Sequence, residues 1–456
     1  MKNITIVGGG LVGSLLAVLL AKRGHKVAVY ERREDPRTTK AWEGRSINLV
    51  VSHRGWQALH VAGLEEAVRG ITVPVYARMT HDPAGKLSRQ PYSIEGKANW
   101  SVSRGRLNNL LLDEAEKGPG VTLHFGCRCV DVDLDNAAGT FVRKGEEART
   151  VPADVILGCD GAFSAVRLKM QFGRMNYQQE YLEHDYKEIA FPAGSDGSPL
   201  MDPQCLHIWP RRYYMLMGLA NGNGSFTGTL FMPHKALPEA PDAGFDKVRT
   251  EAQADAFLKQ HFPDAHAIIP DMTAQYMRNP EGNLVMVRCS PWIHGATAAL
   301  LGDAAHAVVP FYGEGMNAGY EDCHVLCKML DAHGDDNWGA VLHAYNEQRV
   351  ANGHAIADLS VRNYTEMRDL VADPRFLLRK KIEGHLQANH PGEWMPLYSL
   401  VKFTSIPYVD ALREGQRHDR VMEQVLAMPG IAEKWESDPS TMLMVERKAL
   451  ELLQRV

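Results

Sequence analysis

The 456-residue chain lacks the features that would place it in a membrane, on nucleic acid or around a metal ion. No apolar run reaches the roughly 18 residues that a transmembrane helix needs. The net charge of −5 argues against a nucleic-acid surface. The seven cysteines are odd in number and form no paired C-x-x-C spacing of a zinc site. We therefore expect no bound metal, and free thiols in a reducing cytoplasm.

The start of the chain carries a pattern that is typical of nucleotide binding. Its parts are an apolar strand that ends at Val7, the turn Gly8-x-Gly10-x-x-Gly13, an apolar helix over residues 11–22, a strand over residues 26–30 and, at the end of that strand, Glu31. In this context the glycine spacing is the dinucleotide-binding fingerprint of a Rossmann-like domain. An ordinary glycine-rich turn is the weaker alternative, because the strand, helix and acid are all in place.

Each glycine of this turn has its own predicted role. Gly8 permits the tight turn, Gly10 lets a pyrophosphate approach the backbone, and Gly13 lets the helix pack close to the strand. The helix N-terminus offers free N–H groups and a partial positive charge to the phosphates. Glu31 accepts hydrogen bonds from a ribose, and its charge repels a 2′-phosphate. The nucleotide is therefore expected to be FAD or NAD rather than NADP.

Two later motifs also join a strand to a helix. The first is Gly158-x-Asp160-Gly161-x-x-Ser164-x-x-Arg167, a sharp turn after a buried strand. The second is Gly302-Asp303-Ala304-Ala305-His306, in which the glycine allows close backbone approach and Asp303 suits a sugar-alcohol hydroxyl. His306 invites a catalytic reading. Because no serine or cysteine partner motif accompanies it, a structural role is favoured.

A glycine-rich segment follows the last of these motifs. Gly313 and Gly315 open a predicted helix over residues 316–330. The dipole of such a helix stabilises negative charge on the N1–C2=O edge of a reduced isoalloxazine.

A predicted hairpin over residues 73–92 brings two polar side chains together. Its turn is Asp82-Pro83-Ala84-Gly85. If the hairpin is centred near Gly85, Arg78 and Tyr92 face each other across the strands. A guanidinium beside a phenol is a plausible clamp for a carboxylate. From the spacing alone, a surface arginine and a half-buried tyrosine are favoured over the clamp.

In this order, and over most of the chain, the three glycine motifs resemble the flavoprotein aromatic hydroxylases related to para-hydroxybenzoate hydroxylase. The resemblance implies an α/β fold with a Rossmann-like FAD-binding domain, a mixed β-sheet substrate domain and a C-terminal helical region. The expected boundaries are 1–70, 100–170 and 285–335 for the FAD-binding domain, 71–99 and 171–284 for the substrate domain, and 336–456 for the helical region. The expected FAD-binding residues are Gly8, Gly10, Leu11, Val12, Gly13, Glu31, Arg32, Arg45, Arg106, Asp160, Gly302, Asp303, Gly315, Met316 and Asn317.

Further stretches resemble family members that hydroxylate the aromatic amino acid L-kynurenine. They include Gly44–Leu49, Ala77-Arg78-Met79, Gln90-Pro91-Tyr92, Leu206–Pro210, Phe226–Phe231, Val309-Pro310-Phe311, Gly315-Met316-Asn317, Asn363–Met367 and Tyr398-Ser399. The resemblance implies that Arg78 and Tyr92 hold the amino-acid carboxylate. It also implies that Asn363, Glu366 and Tyr398 contribute to the same polar end, and that Phe231, Phe311 and Tyr312 wall the aromatic end.

The same resemblance implies a chemistry carried by the cofactor rather than by a protein base. FAD is tightly bound, and NADPH binds transiently, since the chain has no second GxGxxG. The reduced flavin reacts with O2, and the flavin C4a-hydroperoxide hydroxylates L-kynurenine to 3-hydroxy-L-kynurenine. The chain ends at Val456 without the membrane-anchoring tail of eukaryotic relatives, so a cytoplasmic form is expected. A monomer and a homodimer both stay open.

Three other functions remain as alternatives at this stage. The nearest is an aromatic hydroxylase of the same family that acts on a phenol or a quinolone. A flavin-dependent reductase or halogenase is less favoured, because the chain lacks a Trp-x-Trp-x-x-Ile stretch. The third is a flavin-binding protein without catalytic activity.

Overall fold

The computed structural model describes residues 1–38, 48–93, 95–370 and 373–455. The candidate Arg45 lies outside these residues. The strands are β1 Asn3–Val7, β2 Lys26–Tyr30, β3 Asn48–Val51, β4 Val73–Val75, β5 Ala77–His81, β6 Leu87–Pro91, β7 Asn99–Ser103, β8 Val121–His124, β9 Cys127–Asp133, β10 Ala138–Arg143, β11 Arg149–Pro152, β12 Val155–Gly158, β13 Asn176–Phe191, β14 Cys205–Pro210, β15 Met215–Ala220, β16 Phe226–Pro233, β17 Gly282–Ser290, β18 Ile293–His294 and β19 Ala298–Leu300.

Helices of very different lengths connect and follow these strands. They are α1 Leu11–Lys22, α2 His53–Val61, α3 Glu65–Arg69, α4 Arg104–Glu116, α5 Ala165–Met170, α6 Glu251–His261, α7 Pro263–Ile268, α8 Met272–Arg278, α9 Asp303–His306, α10 Gly315–His333, α11 Trp338–Thr365, α12 Pro374–Asn389, α13 Leu397–Phe403, α14 Tyr408–Leu426, α15 Ile431–Lys434 and α16 Pro439–Arg455. A 3-10 turn lies at Pro310–Tyr312, and a π-helical turn lies at Glu366–Leu370.

The first sheet is a six-stranded, mostly parallel sheet in the order β18-β19-β12-β1-β2-β8. Strands β1, β12 and β19 are apolar along almost their whole length, as expected for parallel strands that are covered on both faces. The three glycine motifs follow the carboxyl ends of these three neighbouring strands. Because the strands are parallel, the motifs meet at one edge of the sheet, which is where α/β sheets bind ligands.

Helix α1 is buried along nearly its whole length, with Leu15, Leu16 and Leu20 completely inaccessible. A helix that is apolar on every face belongs in the core. Here it packs between the six-stranded sheet, α4 and α10. The first residues of α1 are therefore held rigidly against the edge where the glycine motifs meet.

A second, mixed sheet has seven strands in the order β17-β13-β16-β15-β14-β5-β6. All neighbours are antiparallel except β14 and β5. One face packs on the α6–α8 helices through a cluster that includes Trp209 and Phe226. Ile208 and Phe231, which alternate with those residues along the strands, face the opposite side. The predicted α/β fold with a mixed sheet is thus confirmed.

The hairpin of β5 and β6 corrects the predicted register. Arg78 pairs with Gln90 rather than with Tyr92. The reason lies in the turn: the Asp82 side chain accepts hydrogen bonds from the N–H groups of Ala84 and Lys86, and Gly85 takes a left-handed φ of 81°. A three-residue loop closed by Asp82 and Lys86 results. The register shifts by two residues, so Tyr92 keeps the same face of the hairpin as Arg78.

The chain from Trp338 onward is helical, as the sequence predicts. Helices α12, α14 and α16 share a core that includes Trp394, Val421 and Val445. A separate cluster joins α13 and α14 to the segment around Tyr312. Among the described residues, no helix combines the length and apolar content that crossing a bilayer requires.

Candidate active site

The first glycine turn is shaped by two close contacts and one open position. Gly8 has a φ of 105°, and a Cβ there would lie 2.4 Å from the carbonyl oxygen of Cys159. A Cβ on Gly13 would lie 2.0 Å from the carbonyl oxygen of Gly8, so only glycine allows α1 this close to the turn. A Cβ on Gly10 would meet nothing within 4 Å, and Gly10 lines the cavity at this edge of the sheet, which we call the main cavity. The turn therefore leaves room for a pyrophosphate at the start of α1.

Glu31 lies beside this turn in a small second cavity. Its carboxylate accepts hydrogen bonds from the N–H groups of Gly9 and Arg33, each at 2.9 Å. The two carboxylate oxygens keep lone pairs for further donors, such as ribose hydroxyls. Arg33 lines the cavity, whereas the predicted Arg32 is exposed beyond the strand.

Arg106 is placed differently from the expectation that it reaches a phosphate. It lines a separate cavity with Asn221 and Gln275. Arg104, the first residue of α4, lines both the main cavity and the Glu31 cavity instead. Two residues of a helix that are two positions apart point in nearly opposite directions, which explains the exchange. Arg104, rather than Arg106, is thus the arginine of α4 that the fold presents to the nucleotide region.

Asp160 has one satisfied and one unsatisfied carboxylate oxygen. Its Oδ2 accepts a hydrogen bond of 2.6 Å from the N–H of Ala165 at the start of α5. Its Oδ1 is buried and has no hydrogen-bond partner among the described residues. Burial raises the pKa of this carboxyl above its usual range. Gly161, the next residue, lines the main cavity, so the motif faces this cavity.

The Gly302–Asp303 turn closes the same edge of the sheet. Gly302 has a φ of 59°, and a Cβ there would lie 2.8 Å from Cγ2 of Val12. The adjacent Asp303 carboxylate is exposed to the main cavity. Leu11 and Val12, the first residues of α1, also line the cavity.

A buried aspartate that sequence reasoning missed holds this turn. Asp322 is completely buried, and its Oδ2 accepts a hydrogen bond of 2.8 Å from the N–H of Gly302. Nε2 of His306 lies 2.6 Å from the same oxygen, and Arg349 donates to Oδ1 at 2.7 Å. His306 also stacks on Trp292. These contacts indicate a structural role for His306. The sequence offered little signal, because Asp322 is one of three acids in α10.

The segment before α10 and the first residues of α10 form the floor of the main cavity. Phe311, Tyr312, Gly313, Gly315 and Met316 line it. The predicted cofactor residue Asn317 does not present its side chain to the cavity. Its amide donates to the carbonyls of Val50 and Gly313, and it accepts from the N–H of Ser52. Asn317 therefore ties the floor to the end of β3, which is a correction of the expected role for its side chain.

The predicted carboxylate clamp assembles at the other end of the main cavity. The guanidinium carbon of Arg78 lies 5.7 Å from the ring centre of Tyr92 and 5.1 Å from that of Tyr398. The two tyrosine rings are stacked at 5.1 Å. Burial acts to lower the pKa of Arg78, but the neighbouring Glu366 carboxylate and tyrosines hold it above the usual value. The arginine is therefore a permanent cation.

Asn363 and Glu366 lie in a smaller adjoining cavity, behind Tyr312 and Tyr398. Oε1 of Glu366 is 3.4 Å from Nη1 of Arg78, and its Oε2 is 3.5 Å from Nζ of Lys380. Asn363 donates a hydrogen bond of 2.7 Å to the carbonyl of Phe311. The structure thus divides the predicted polar end into a front part, with Arg78 and both tyrosines, and a supporting part.

The three residues that the resemblance assigns to an aromatic end lie together in the structure. The ring centres of Phe231 and Phe311 are 4.9 Å apart and tilted against each other. Tyr312 lies parallel to Tyr398 at 5.8 Å, which connects the aromatic wall to the clamp. Phe231, Phe311 and Tyr312 all line the main cavity. One cavity therefore joins a cationic end, an aromatic wall and the glycine motifs.

The sequence analysis did not identify two residues that line the cavity. Lys402 lines it and donates to Glu314, which is completely buried. Asn99 also lines it and donates a hydrogen bond of 2.9 Å to the hydroxyl of Tyr398. Because these partners are far apart in the chain, no local pattern pointed to them.

The residues at this edge fit FAD. The open Gly10 position and the N-terminus of α1 suit a pyrophosphate, the unpaired Oδ1 of Asp160 is free for a donor, and Asp303 faces the cavity.

An FAD binding domain family model matches residues 1–360. The chain is similar at 17% identity and a TM-score of 0.67 to the tetrameric form of 2-methyl-3-hydroxypyridine-5-carboxylic acid oxygenase, over 85% of this chain and 98% of that one. At that identity the likeness concerns the fold alone.

The family model and the site together define an FAD-binding flavoprotein. Curated relatives narrow the family. The chain is 44% identical to kynurenine 3-monooxygenase of Christiangramia forsetii over 100% of this chain and 99% of the relative. It is 43% identical to that of Flavobacterium johnsoniae, over 99% of both chains, and 41% identical to that of Anopheles gambiae, over 94% of this chain and 88% of the relative. The chain belongs to the kynurenine 3-monooxygenase family.

Proposed function

We propose that this chain hydroxylates L-kynurenine to 3-hydroxy-L-kynurenine, with NADPH as the reductant and O2 as the oxygen source. One observation carries the proposal: a single cavity joins the Arg78 clamp to an aromatic wall beside the FAD-binding edge. An aromatic amino acid has the matching chemistry, with a carboxylate at one end and a ring at the other. The relatives that cover the whole chain are named for this reaction.

The substrate carboxylate is held by Arg78 and Tyr92, and Tyr398 supports them. A guanidinium supplies paired donors to a carboxylate, and a phenol adds a further donor. Phe231, Phe311 and Tyr312 then fix the plane of the aniline ring and exclude water from it. Glu366 stands behind the clamp and balances the charge of Arg78 and Lys380. Burial acts to raise the pKa of Glu366, but these cations hold it below its usual range.

The FAD is held by Gly10, Leu11 and Val12 at the pyrophosphate, by Glu31 at the adenosine ribose, and by Asp303 at the ribitol. Arg104 replaces Arg106 as the nearby cation. When reduced by NADPH and exposed to O2, bound FAD supplies the activated oxygen for the ring carbon ortho to the aniline nitrogen. The N-terminus of α10, at Gly315 and Met316, stabilises negative charge at the edge of the flavin.

Several further assignments accompany this function. The FAD-binding domain comprises 1–70, 100–170 and 285–335, the substrate domain comprises 71–99 and 171–284, and 336–456 form the helical region. We place the enzyme in the cytoplasm.

The test is rapid mixing of the purified yellow protein with NADPH, with and without L-kynurenine, followed by mass analysis of the product in air. We expect fast flavin reduction only with L-kynurenine and a product heavier by one oxygen. Reduction that is indifferent to L-kynurenine, with hydrogen peroxide as the only product, would leave a flavoprotein with another substrate. A panel of phenols and quinolones would then identify it.

A further inference from the structure

Strand β13 runs for 16 residues, and its first half has a neighbouring strand on one side only. The second half, from His184 to Phe191, pairs with β16. The first half, from Asn176 to Tyr181, pairs with β17. On its other side, residues 176–182 make no backbone hydrogen bond to any described part of the chain. We call this segment the free edge, because its outward N–H and C=O groups can accept a further strand.

The free edge lacks the proline and lysine residues by which edge strands often avoid other chains. Its sequence is NYQQEYL, with Glu180 as the one charged residue. Tyr177 and Tyr181 are 38% and 51% exposed. A segment with aromatic residues, low net charge and neither proline nor glycine pairs readily with another strand. The edge is therefore suited to a partner that adds a strand to the seven-stranded sheet.

Exposed apolar side chains lie next to the free edge. Phe172, four residues before the strand, is 84% exposed, and Leu168 on α5 is 57% exposed. The guanidinium carbon of Arg167, also on α5, lies 5.1 Å from the ring centre of Tyr177, so this helix lies beside the strand. A partner on the free edge thus has apolar surface to cover in addition to the strand, as a specific interface requires.

Side-chain hydrogen bonds identify the two faces of the free edge. On one face, Gln179 donates a hydrogen bond of 2.9 Å to the hydroxyl of Tyr181 and accepts one from the hydroxyl of Tyr177. On the other face, Nε2 of Gln178 lies 3.5 Å from Oε2 of Glu180. The first face is therefore aromatic and neutral, and the second carries the charge.

This arrangement is complementary to a second copy of itself. Antiparallel pairing about a two-fold axis at Gln179 places Tyr177 opposite Tyr181 of the partner subunit. It also places Gln178 opposite Glu180 of the partner subunit. Aromatic pairs and pairs of an amide with a carboxylate both favour neighbouring strands. A two-fold axis at Glu180 would instead bring two carboxylates together, which is unfavourable.

We propose that the free edge of β13 is a homodimer interface, in which two copies pair antiparallel about Gln179 and join their seven-stranded sheets into one. The partner is a second copy because every side chain of the edge then meets a complementary one. The charge pattern selects the register. The inference concerns assembly and does not depend on the substrate.

Sedimentation of the FAD-loaded protein tests the interface. We expect the average mass of the wild type to rise toward twice the chain mass between about 1 and 100 μM, since small interfaces bind weakly. Gln179→Lys places two ammonium groups opposite each other at the axis and should weaken the dimer at least tenfold. Gln178→Lys places the same charge opposite Glu180 of the partner subunit and should strengthen the dimer about three- to tenfold.

The control is Ser88→Lys, which adds the same charge to β6, the strand at the far edge of the same sheet. Ser88 is exposed, and this variant should dimerise as the wild type does. Because the two glutamine variants carry the same charge on adjacent residues, their opposite effects cannot come from net charge.

Cysteine cross-linking tests the register. Residues directly opposite in an antiparallel pair have Cα atoms about 4.5–5.5 Å apart, within the range of a disulfide. Under mild oxidation Gln179→Cys should give a covalent dimer, whereas Glu180→Cys should not, because Gln178 of the partner subunit lies opposite it. The native cysteines are buried or half-buried, so the wild type should stay uncross-linked.

Three results would overturn the inference. A wild type that stays a single chain at every concentration would leave the free edge to another occupant. Equal effects of Gln178→Lys and Gln179→Lys would place the dimer contact elsewhere. A covalent dimer of Glu180→Cys without one of Gln179→Cys would contradict the register. The cysteine variants also decide the question if the lysine variants do not yield FAD-loaded protein.

Discussion

Nζ of Lys402 lies 2.8 Å from Oε1 of Glu314, and both side chains are buried, at 1% and 0% exposure. The pair connects helix α13 of the C-terminal region to the segment between Gly313 and Gly315, which forms the floor of the cavity. Lys402 also donates to the carbonyl of Gly313, and Tyr408 donates to the other oxygen of Glu314. The C-terminal helices thus hold the floor in place by a charge pair rather than by apolar contact alone.

Removing only one partner of the Lys402–Glu314 pair should lower the free energy of unfolding. Lys402→Met leaves the Glu314 carboxylate buried without its cation, and we expect a loss of about 3 kcal/mol or more in the free energy of unfolding. The double variant Lys402→Met/Glu314→Gln should recover much of that loss, since no unpaired charge remains. Denaturant titration of the FAD-loaded proteins measures both.

The control for that experiment is Lys448→Met. Lys448 pairs with Glu451 on the surface, with both side chains about two-fifths exposed, and its loss should change stability by about 0.5 kcal/mol or less. A Lys402→Met variant as stable as this control would show that the buried pair has no net stabilising effect.

Arg78→Ala should weaken substrate binding and leave the cofactor in place. Arg78 is the cation at the front of the cavity, and the FAD-binding edge lies at the other end. Truncating one partner of a buried charge pair costs roughly 2–5 kcal/mol, so we expect KM for L-kynurenine to rise about 30-fold or more. Steady-state kinetics and the flavin-to-protein absorbance ratio measure the two effects separately.

Arg89→Ala serves as the matched control, because Arg89 is an exposed arginine on the neighbouring strand β6. Its KM should stay close to that of the wild type. An unchanged KM in Arg78→Ala would remove this residue from the substrate site.

His207 should make the protein less stable in mild acid. Its Nδ1 lies 2.9 Å from Nε2 of His81, its Nε2 lies 2.9 Å from the carbonyl of Asp202, and Asp264 stands beyond His81. Burial lowers the pKa of His207 to about 4, while an unfolded histidine has about 6.5. Between these values the unfolded chain binds the proton and the folded chain does not. The stability that neutral His207 contributes to the folded state is therefore fully present above pH 6.5. It is lost as the pH falls toward 4.

The measurement compares wild type and His207→Gln by denaturant titration at pH 7.5 and pH 5. The wild type should lose more stability over this interval, by about 2 kcal/mol, since each pKa unit is worth about 1.4 kcal/mol. Equal losses in both proteins would assign the acid sensitivity to other groups.

Substitution by alanine should have opposite effects on stability at two helical glycines. Gly13 in α1 and Gly384 in α12 both gain helix propensity on substitution by alanine. A Cβ on Gly13 would lie 2.0 Å from the carbonyl oxygen of Gly8, whereas one on Gly384 would meet nothing within 4 Å. We expect Gly13→Ala to lose FAD and stability, and Gly384→Ala to gain about 0.5–1 kcal/mol.

The melting temperature and the flavin content of both glycine variants test this contrast. The contrary outcome is a Gly13→Ala variant that retains FAD and melts at the wild-type temperature. That result would mean that α1 can move away from β1 without loss of stability.

The sequence alone determined the class of this protein, because the determinants of FAD binding are local. Gly13 is required by a contact within the turn itself, with the carbonyl oxygen of Gly8, and Glu31 follows one strand later. Apolar runs identified β1, α1 and β12 in the same way. Parallel strands bring their carboxyl ends to one edge, so the three glycine motifs could be placed together without coordinates.

The tertiary structure decided what depends on contacts between distant segments. The Asp82 side chain, which binds the turn backbone, set the register that pairs Arg78 with Gln90. The start of α4 decided that Arg104, not Arg106, faces the nucleotide region. Packing of α13 brought Lys402 to Glu314 and Tyr398 to Asn99. Such pairs join residues that are up to about 300 positions apart, and no periodicity along the chain encodes which of them meet.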